Sequence, residues 1–306
     1  MSDHLPSFDA DIERRYDAAL MFARGDRTVV GVDVGFVYDQ RGRMTGTVDV
    51  RVHRRTSKSI GPVAVGAATT EPSRGAMNVS HSGTIGPGVR IANPRCTFGT
   101  LGLIVFDATT RRPLIMSSSH VLGYPGTSPG ERVDLIPAGT AKPRPIATFS
   151  RAVNDMTGDA AVAEPIPGVE IDGVEIDGVG VARAAMPQLG DVVEKVGAAT
   201  GRTCGVVDGV GRYFMASGGH GMLGFRIVRG TPNGTRDLAL PGDSGAVWYR
   251  QGDRAGVGLH VGGDQSVTDE SLQPAIACYL PLVLNTLAVS LTHSSPPTPN
   301  DPPRRS

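Results

Sequence analysis

Three side chains with the makings of nucleophilic catalysis lie far apart in this sequence. Ser244 sits in Leu240-Pro241-Gly242-Asp243-Ser244-Gly245, just ahead of the apolar run Ala246-Val247-Trp248. Glycine, aspartate and serine are ordinary turn formers, so the segment alone reads equally as a polar turn before a strand. An alcohol is a weak nucleophile at neutral pH and needs a base to take its proton. Histidine suits that role, because its unperturbed pKa of about 6.5 leaves the neutral ring available. Of the 7 histidines, His4 and His293 fall in terminal tails, His53 on the exposed face of a short strand, His81 in a Gly/Ser-rich stretch and His220 among glycines. His120 and His260 remain. His120 follows Leu114-Ile115-Met116 and three serines, where a strand opens into a loop. Rigid scaffolds present their working groups from such positions. A carboxylate must then orient the imidazole and stabilise its cation. Asp159 opens the apolar run Ala160-Ala161-Val162-Ala163 and so stands at a strand mouth, while its rival Asp155 lies just upstream in a run that reads as loop. Taken singly, each of these segments reads more readily as structural.

The elements that must position these groups are mainly β. The chain has 306 residues, with 41 glycines and 23 prolines punctuating short apolar runs. From about Thr97 to Leu291 such runs recur between turn signals, the pattern of a sandwich or barrel. Before them, residues 9–24 place Ile12, Tyr16, Ala19, Leu20 and Ala23 at helical spacing, and Gly25 is a natural stop. Two strands then flank residues 40–43 as a hairpin, with Val48, Val50 and Val52 alternating with Asp49, Arg51 and His53. The expected organisation is an N-terminal helix-plus-hairpin module over 1–55, a linker or arm over 56–90, a β domain over 91–291 and a disordered tail over 292–306. Residues 279–291 read as a closing helix.

Composition excludes several classes of function. Lysine plus arginine number 30, as do aspartate plus glutamate, so the formal charge is zero and no global attraction to nucleic acid or an anionic membrane is expected. No run of 18 apolar residues occurs, and residues 1–25 are acidic rather than signal-like, which points to the cytoplasm. Cys96, Cys204 and Cys278 are too few and too widely spaced for a disulfide framework or a zinc site. The tandem unit in Gly168–Gly180 lacks the dense carboxylates of a calcium loop and reads as an acidic surface hairpin. Neither a metal nor a cofactor is expected.

SSSHVL, GDAAVA and PGDSGAVW, in that order, resemble the three catalytic segments of chymotrypsin-fold serine proteases. KVGAATGRTCGVV at 195–207 is similar to the glycine- and threonine-rich strand-turn-strand of their bacterial members. VRIANPRCTFGTLGLIVFD, with the histidine segment after it, further resembles the bacterial and plant group related to the rice Narrow leaf protein. The likeness covers roughly residues 28–290. It implies a chymotrypsin-like double six-stranded β-barrel with a small N-terminal α+β module and a C-terminal helix. It casts Ser244 as nucleophile, His120 as general acid/base and Asp159 as its orienting carboxylate, with the backbone N–H groups of Gly242 and Ser244 as oxyanion hole. Asp243 would brace that hole through a buried ion pair. No activating amine is evident, so another cation must serve or the hole forms only on activation.

The same likeness puts Leu238 at the floor of the primary pocket, where trypsin-like enzymes carry an aspartate, with Asp237 adjacent. GLHVGG at 258–263 is similar to a strand of picornaviral and glutamate-specific proteases. That implies His260, Gly262 and Gly263 line the pocket and favour glutamate or glutamine before the scissile bond. The rival is that His260 packs beneath a pocket for small apolar residues. The leading reading is an intracellular serine endopeptidase acting on protein or peptide substrates, restrained by an activating or regulatory protein partner. A catalytically silent or partner-activated peptide-binding module and an esterase or amidase are the alternatives.

Overall fold

Short apolar runs closed by glycine and proline favour strands, and the computed structural model arranges them in two large curled sheets. It describes residues 7–40, 43–55, 85–123, 126–137, 142–171, 175–176, 178–214, 221–229, 237–264 and 273–292. The chain begins with α1 (Ala10–Ala23), β1 (Val29–Tyr38) and β2 (Met44–Arg54). The first large sheet draws on β3 (Arg90–Ala92), β4 (Gly99–Thr100), β5 (Leu103–Asp107), β6 (Pro113–Ser117), the one-turn α2 (Ser119–Leu122), β7 (Arg132–Leu135), β8 (Arg144–Asp155) and β9 (Gly158–Pro165). A small pair, β10 (Glu175–Ile176) and β11 (Val179–Gly180), precedes the strands of the second sheet. Those are β12 (Val192–Gly197), β13 (Gly201–Phe214), β14 (Gly221–Arg229), β15 (Val247–Arg250), β16 (Gly256–Gly263) and β17 (Ala275–Tyr279), followed by α3 (Leu280–Thr286) and β18 (Val289–Ser290).

The second sheet runs β12-β15-β16-β17-β14-β13, and a further β12–β13 pairing closes these six strands into a barrel. The first runs β18-β5-β6-β9-β8-β7-β3-β4. Alternation along each strand feeds two cores at once. In β9, Ala161 and Ala163 enter the first sheet's own core, while Ala160 and Val162 face a larger cluster shared with Leu259, Val261 and Cys278 of the second. The two halves therefore meet on a buried apolar seam. Each fully enclosed aliphatic side chain there contributes roughly 1.5–3 kcal/mol.

Helix α1 and the hairpin form where the sequence places them, but they do not stand apart as a module. β13 is 14 residues long and overruns the barrel, and its far end pairs with β1 from Gly31↔Tyr213 to Gly35↔Gly209. The hairpin thus widens the second sheet. His53, expected on an exposed face, lies instead in the seam of that junction, with Nε2 3.0 Å from Asp33 Oδ2 and Nδ1 3.6 Å from Asp264 Oδ2. Arg51 donates to both oxygens of the buried Asp33 at 2.8 Å each and to Asp208 at 2.9 Å. Arg226 binds Asp208 as well and reaches Asp264 at 2.8 Å. On β2, Arg51 and His53 are covered by ion pairs, while Val48 and Val50 pack half-buried against the α1 cluster and Val52 stays exposed, so alternation here marks two partly covered faces. The closing helix is shorter than expected. It ends at Thr286, Ala288 adopts φ +50, and Val289–Ser290 then joins β5.

Most of the expected 56–90 arm and of the C-terminal tail lies outside the described residues. Among those described, no helix is long and apolar enough to cross a membrane.

Candidate active site

The first sheet sets a histidine beside an aspartate through strand register. β6 and β9 run antiparallel with Ser117 opposite Ala161, so the first residues of α2 fall opposite Asp159. Asp159 Oδ1 accepts the backbone N–H of His120 at 3.1 Å, and Oδ2 lies 2.5 Å from His120 Nδ1. A carboxylate only accepts, so Nδ1 carries the proton and Nε2 is the free basic nitrogen. Burial of the ring opposes its charging, yet the Asp159 carboxylate outweighs this and raises the imidazole pKa above its ordinary 6.5. The rival Asp155 instead caps its own turn, accepting from Thr157 N at 2.7 Å.

The Ser244 loop of the second barrel is pressed against this corner. Thr100 bridges them: its N–H donates to Ser244 O at 2.7 Å and its hydroxyl to Gly242 O at 2.9 Å. Gly245 N donates to His260 O at 2.8 Å, and Ser118 Oγ, two residues before His120, binds the same carbonyl at 3.0 Å. Gly245 has φ +92, and a Cβ there would come within 2.0 Å of Ser117 Oγ, so only glycine lets the two corners touch. In the arrangement seen, the half-buried Ser244 hydroxyl donates to Val261 O at 3.2 Å rather than to His120.

The backbone around Ser244 leaves two donors unused. The N–H groups of Leu240, Asp243, Gly245 and Ala246 are bonded inside the protein, whereas those of Gly242 and Ser244 meet no acceptor among the described residues. Gly242 has φ +106, open to glycine at little cost. Asp243 fixes this shape from below. It is fully buried and receives Lys195 Nζ at 2.9 Å, Thr200 Oγ1 at 2.6 Å, and the N–H groups of Ala199, Thr200 and Leu240 at 2.9, 3.1 and 3.1 Å. Burial works against its charge, but Lys195 and these hydrogen bonds hold the carboxyl well below its usual range. The cation that the sequence left unassigned is therefore Lys195, itself fully buried and 5.4 Å from the Trp248 ring centroid.

Beside Ser244 opens a cavity of about 130 Å3, lined on one side by Ala239, Leu240 and Pro241 and on the other by Gly262, Gly263, Gln273 and Pro274, with His260 between. Of the expected pocket residues, His260, Gly262 and Gly263 are there and Leu238 is not. Leu238 points into the barrel core, and its carbonyl is tied to Thr203 Oγ1 at 2.9 Å. Asp237 pairs with Arg229 at 3.3 Å. The His260 ring meets Trp248 edge-on at 6.2 Å, and its Nδ1 is enclosed without a partner. Burial above all, then the Lys195 ammonium, pushes its pKa down to about 3. The ring is neutral at pH 7.

That depressed value carries a stability prediction. An unfolded chain binds a proton at this ring below about pH 6.5 and the folded one does not, so unfolding takes up a proton between that point and about 3. The contribution is complete above pH 6.5 and is lost as pH falls toward 3. Urea midpoints at pH 7.5 and 4.5 should converge in His260→Gln relative to the wild type. An unchanged difference between the two midpoints would place the acid sensitivity elsewhere.

The sequence matches no family model and no curated protein. Among solved structures it is similar to a Nocardiopsis protease, at 18% identity over 68% of this chain and 98% of that one, TM-score 0.50. It is also similar to a glutamic-acid-specific serine protease that uses a histidine triad in substrate binding, at 16% identity over 67% of this chain and 98% of that one, TM-score 0.51. The fold is that of chymotrypsin-like serine proteases, mainly β and built on two curled sheets. About a third of this chain lies outside each match.

Lys195, Thr200, Thr100 and Phe98 were not singled out by sequence. Lys195 had a usable signal: it shares its strand face with Val193 and Gly197, which alternation turns inward, and a lysine on an inward face needs an anion.

Proposed function

We propose that the chain is a serine endopeptidase that cleaves peptide bonds through an acyl-enzyme on Ser244. The observation that carries this reading is the pair of unused N–H donors at Gly242 and Ser244, braced by Asp243 and Lys195, in a loop bonded to the corner that holds His120 and Asp159. The reaction requires the Ser244 hydroxyl to leave Val261 O and donate to His120 Nε2. Oγ attacks the carbonyl carbon as Nε2 takes its proton, and the two N–H groups bind the oxyanion. Donors of this kind contribute about 10²–10³ each to the rate. The imidazolium, stabilised by Asp159, gives its proton to the leaving amine, and water repeats the sequence to free the acid. A silent binding module has no need of a braced hole. The three cysteines are all free, which suits the reducing interior of a cell.

The kinship with the Narrow leaf-related group rests on residues 89–107 and the histidine segment. The finer reading of specificity concerns the cavity. A cavity near 150 Å3 holds a benzene-sized group, so this one suits a side chain of middle size. A neutral His260 offers a hydrogen bond but no charge, which favours glutamine over glutamate before the scissile bond, since a buried carboxylate there would lack a counter-ion. Histidine triads belong to the glutamate-specific protein; here the ring beside His260 is Trp248.

The test is a fluorophosphonate probe followed by a peptide library. Ser244 should be labelled in the wild type and not in Ser244→Ala. The library should favour glutamine over glutamate by about tenfold, with the preference lost in His260→Ala. Folded protein that stays unlabelled would favour the binding module, and labelling with ester but no peptide turnover would favour the esterase.

A further inference from the structure

The cavity beside His260 takes the substrate on one side of Ser244, so the leaving half must run out on the other side, past Gly242. The ring of Phe98 lies there. A Cβ on Gly242 would come 2.3 Å from Phe98 Cε2, so this ring rests directly on the proposed oxyanion glycine and is no part of the cavity lining. Arg90, half-buried on β3, lays its guanidinium over the same ring, with Cζ 4.8 Å from the centroid. Its Nε donates to Ala198 O at 3.4 Å, in the turn that also binds Asp243. Arg90 therefore reaches from one barrel to the other at the edge of the site.

Its partners differ from those of the arginines that hold a carboxylate. Arg95 has Glu131, Arg151 has Asp107, Arg202 has Glu194, Arg226 has Asp264 and Arg250 has Asp191. Among the described residues Arg90 has a carbonyl and an aromatic ring but no carboxylate. The stack on Phe98 fixes the plane of the guanidinium, and its two terminal nitrogens keep their donors for a carboxylate, which arginine grips bidentately. An extended peptide advances at most about 3.6 Å per residue, so a position one or two residues past the scissile bond comes within reach.

We propose that Arg90 and Phe98 form a leaving-group subsite that selects substrates with a carboxylate one or two residues beyond the cleaved bond. This rests on Ser244 being the nucleophile. The carboxylate comes either from an aspartate or glutamate side chain or from the free C-terminus of the peptide.

The experiment uses the full chain and peptides with one fixed acyl half. The first or second residue past the bond is Asp, Glu, Asn, Gln or Lys, in amidated peptides, and a second set ends there in a free carboxylate. The expected kcat/KM for the acidic or free-ended peptides exceeds that for lysine by at least about tenfold. Arg90→Gln should bring the ratio near one, and Arg90→Glu should invert it, which a merely structural role for Arg90 would not do. A response to the free end alone assigns the C-terminus as the source, and a response in the amidated set assigns the side chain. An activated ester with nothing beyond the scissile bond reports acyl-enzyme formation by itself; if the wild type leaves it intact, the nucleophile reading fails. In that event, affinities of the same peptides for Ser244→Ala and Ser244→Ala/Arg90→Glu still decide the subsite. Ratios unmoved by charge reversal at Arg90 overturn it.

Discussion

Replacing Ser244 by alanine is expected to lower kcat/KM about 10⁶-fold, and His120→Ala should cost nearly as much. The double variant should lose little more, because a nucleophile without its base and a base without its nucleophile are equally idle. Asp159→Asn should cost about 10⁴, for a different reason. An asparagine amide in the place of Oδ2 can donate to Nδ1, which moves the ring proton to Nε2, and that nitrogen can then no longer accept from Ser244. A residual rate about 10³–10⁴ above water should survive, supplied by the N–H groups of Gly242 and Ser244 and by binding. Active-site titration with steady-state kinetics on one peptide series measures all four variants. The pH profile supplies the sign. Asp159 raises the His120 pKa, so the wild-type acid limb should lie above pH 6.5, with activity rising as the ring loses its proton. A Ser244→Ala protein that still turned over peptides would end the assignment.

The proposed triad members each carry a local mark in the sequence. His120 and Asp159 stand where strands open, and Ser244 lies between glycines before an apolar run. The order of the segments added what no single one could. What the sequence hid was register across distance. Period-two alternation says that Arg51 and His53 share a face, but not that β13 overruns its barrel and brings Asp208 to Arg51, nor that Asp264 after β16 meets His53. Leu238 shows the same limit at close range. A shift of one residue separates the cavity wall at Ala239 from Leu238, whose side chain lies in the core of the second barrel.

The ion-paired junction also gives the N-terminal hairpin a place near the site. Asp264 follows β16, whose last residues Gly262 and Gly263 line the cavity, and its N–H binds Pro274 O at 2.8 Å on the same wall. Arg226 holds the Asp264 carboxylate at 2.8 Å while sharing Asp208 with Arg51 of the hairpin. A strand that sequence reading places in a separate module is thus joined through two arginines to one edge of the proposed substrate cleft.

Lys195→Met should produce the second large effect, and it should appear in stability and rate together. Removing one member of a buried ion pair leaves the other charge without compensation, at a cost of about 3–5 kcal/mol. That is a large part of the 5–15 kcal/mol typical of a domain, so the comparison belongs at low temperature. Asp243 would retain Thr200 and three backbone donors, but its strongest partner would be gone, and the loop that aims Gly242 N–H would relax. Loss of aim at one oxyanion donor costs about 10²–10³ in kcat. Adding Asp243→Asn separates the two effects. With both charges removed, urea unfolding should recover most of the lost stability, because a neutral pair of similar volume is often as stable as the buried ion pair it replaces. The rate should stay low, since an amide cannot accept all four hydrogen bonds that still hold the loop once Lys195 is gone. If kcat returned with stability, Lys195 would be a structural lysine and the bracing role would pass to the backbone alone.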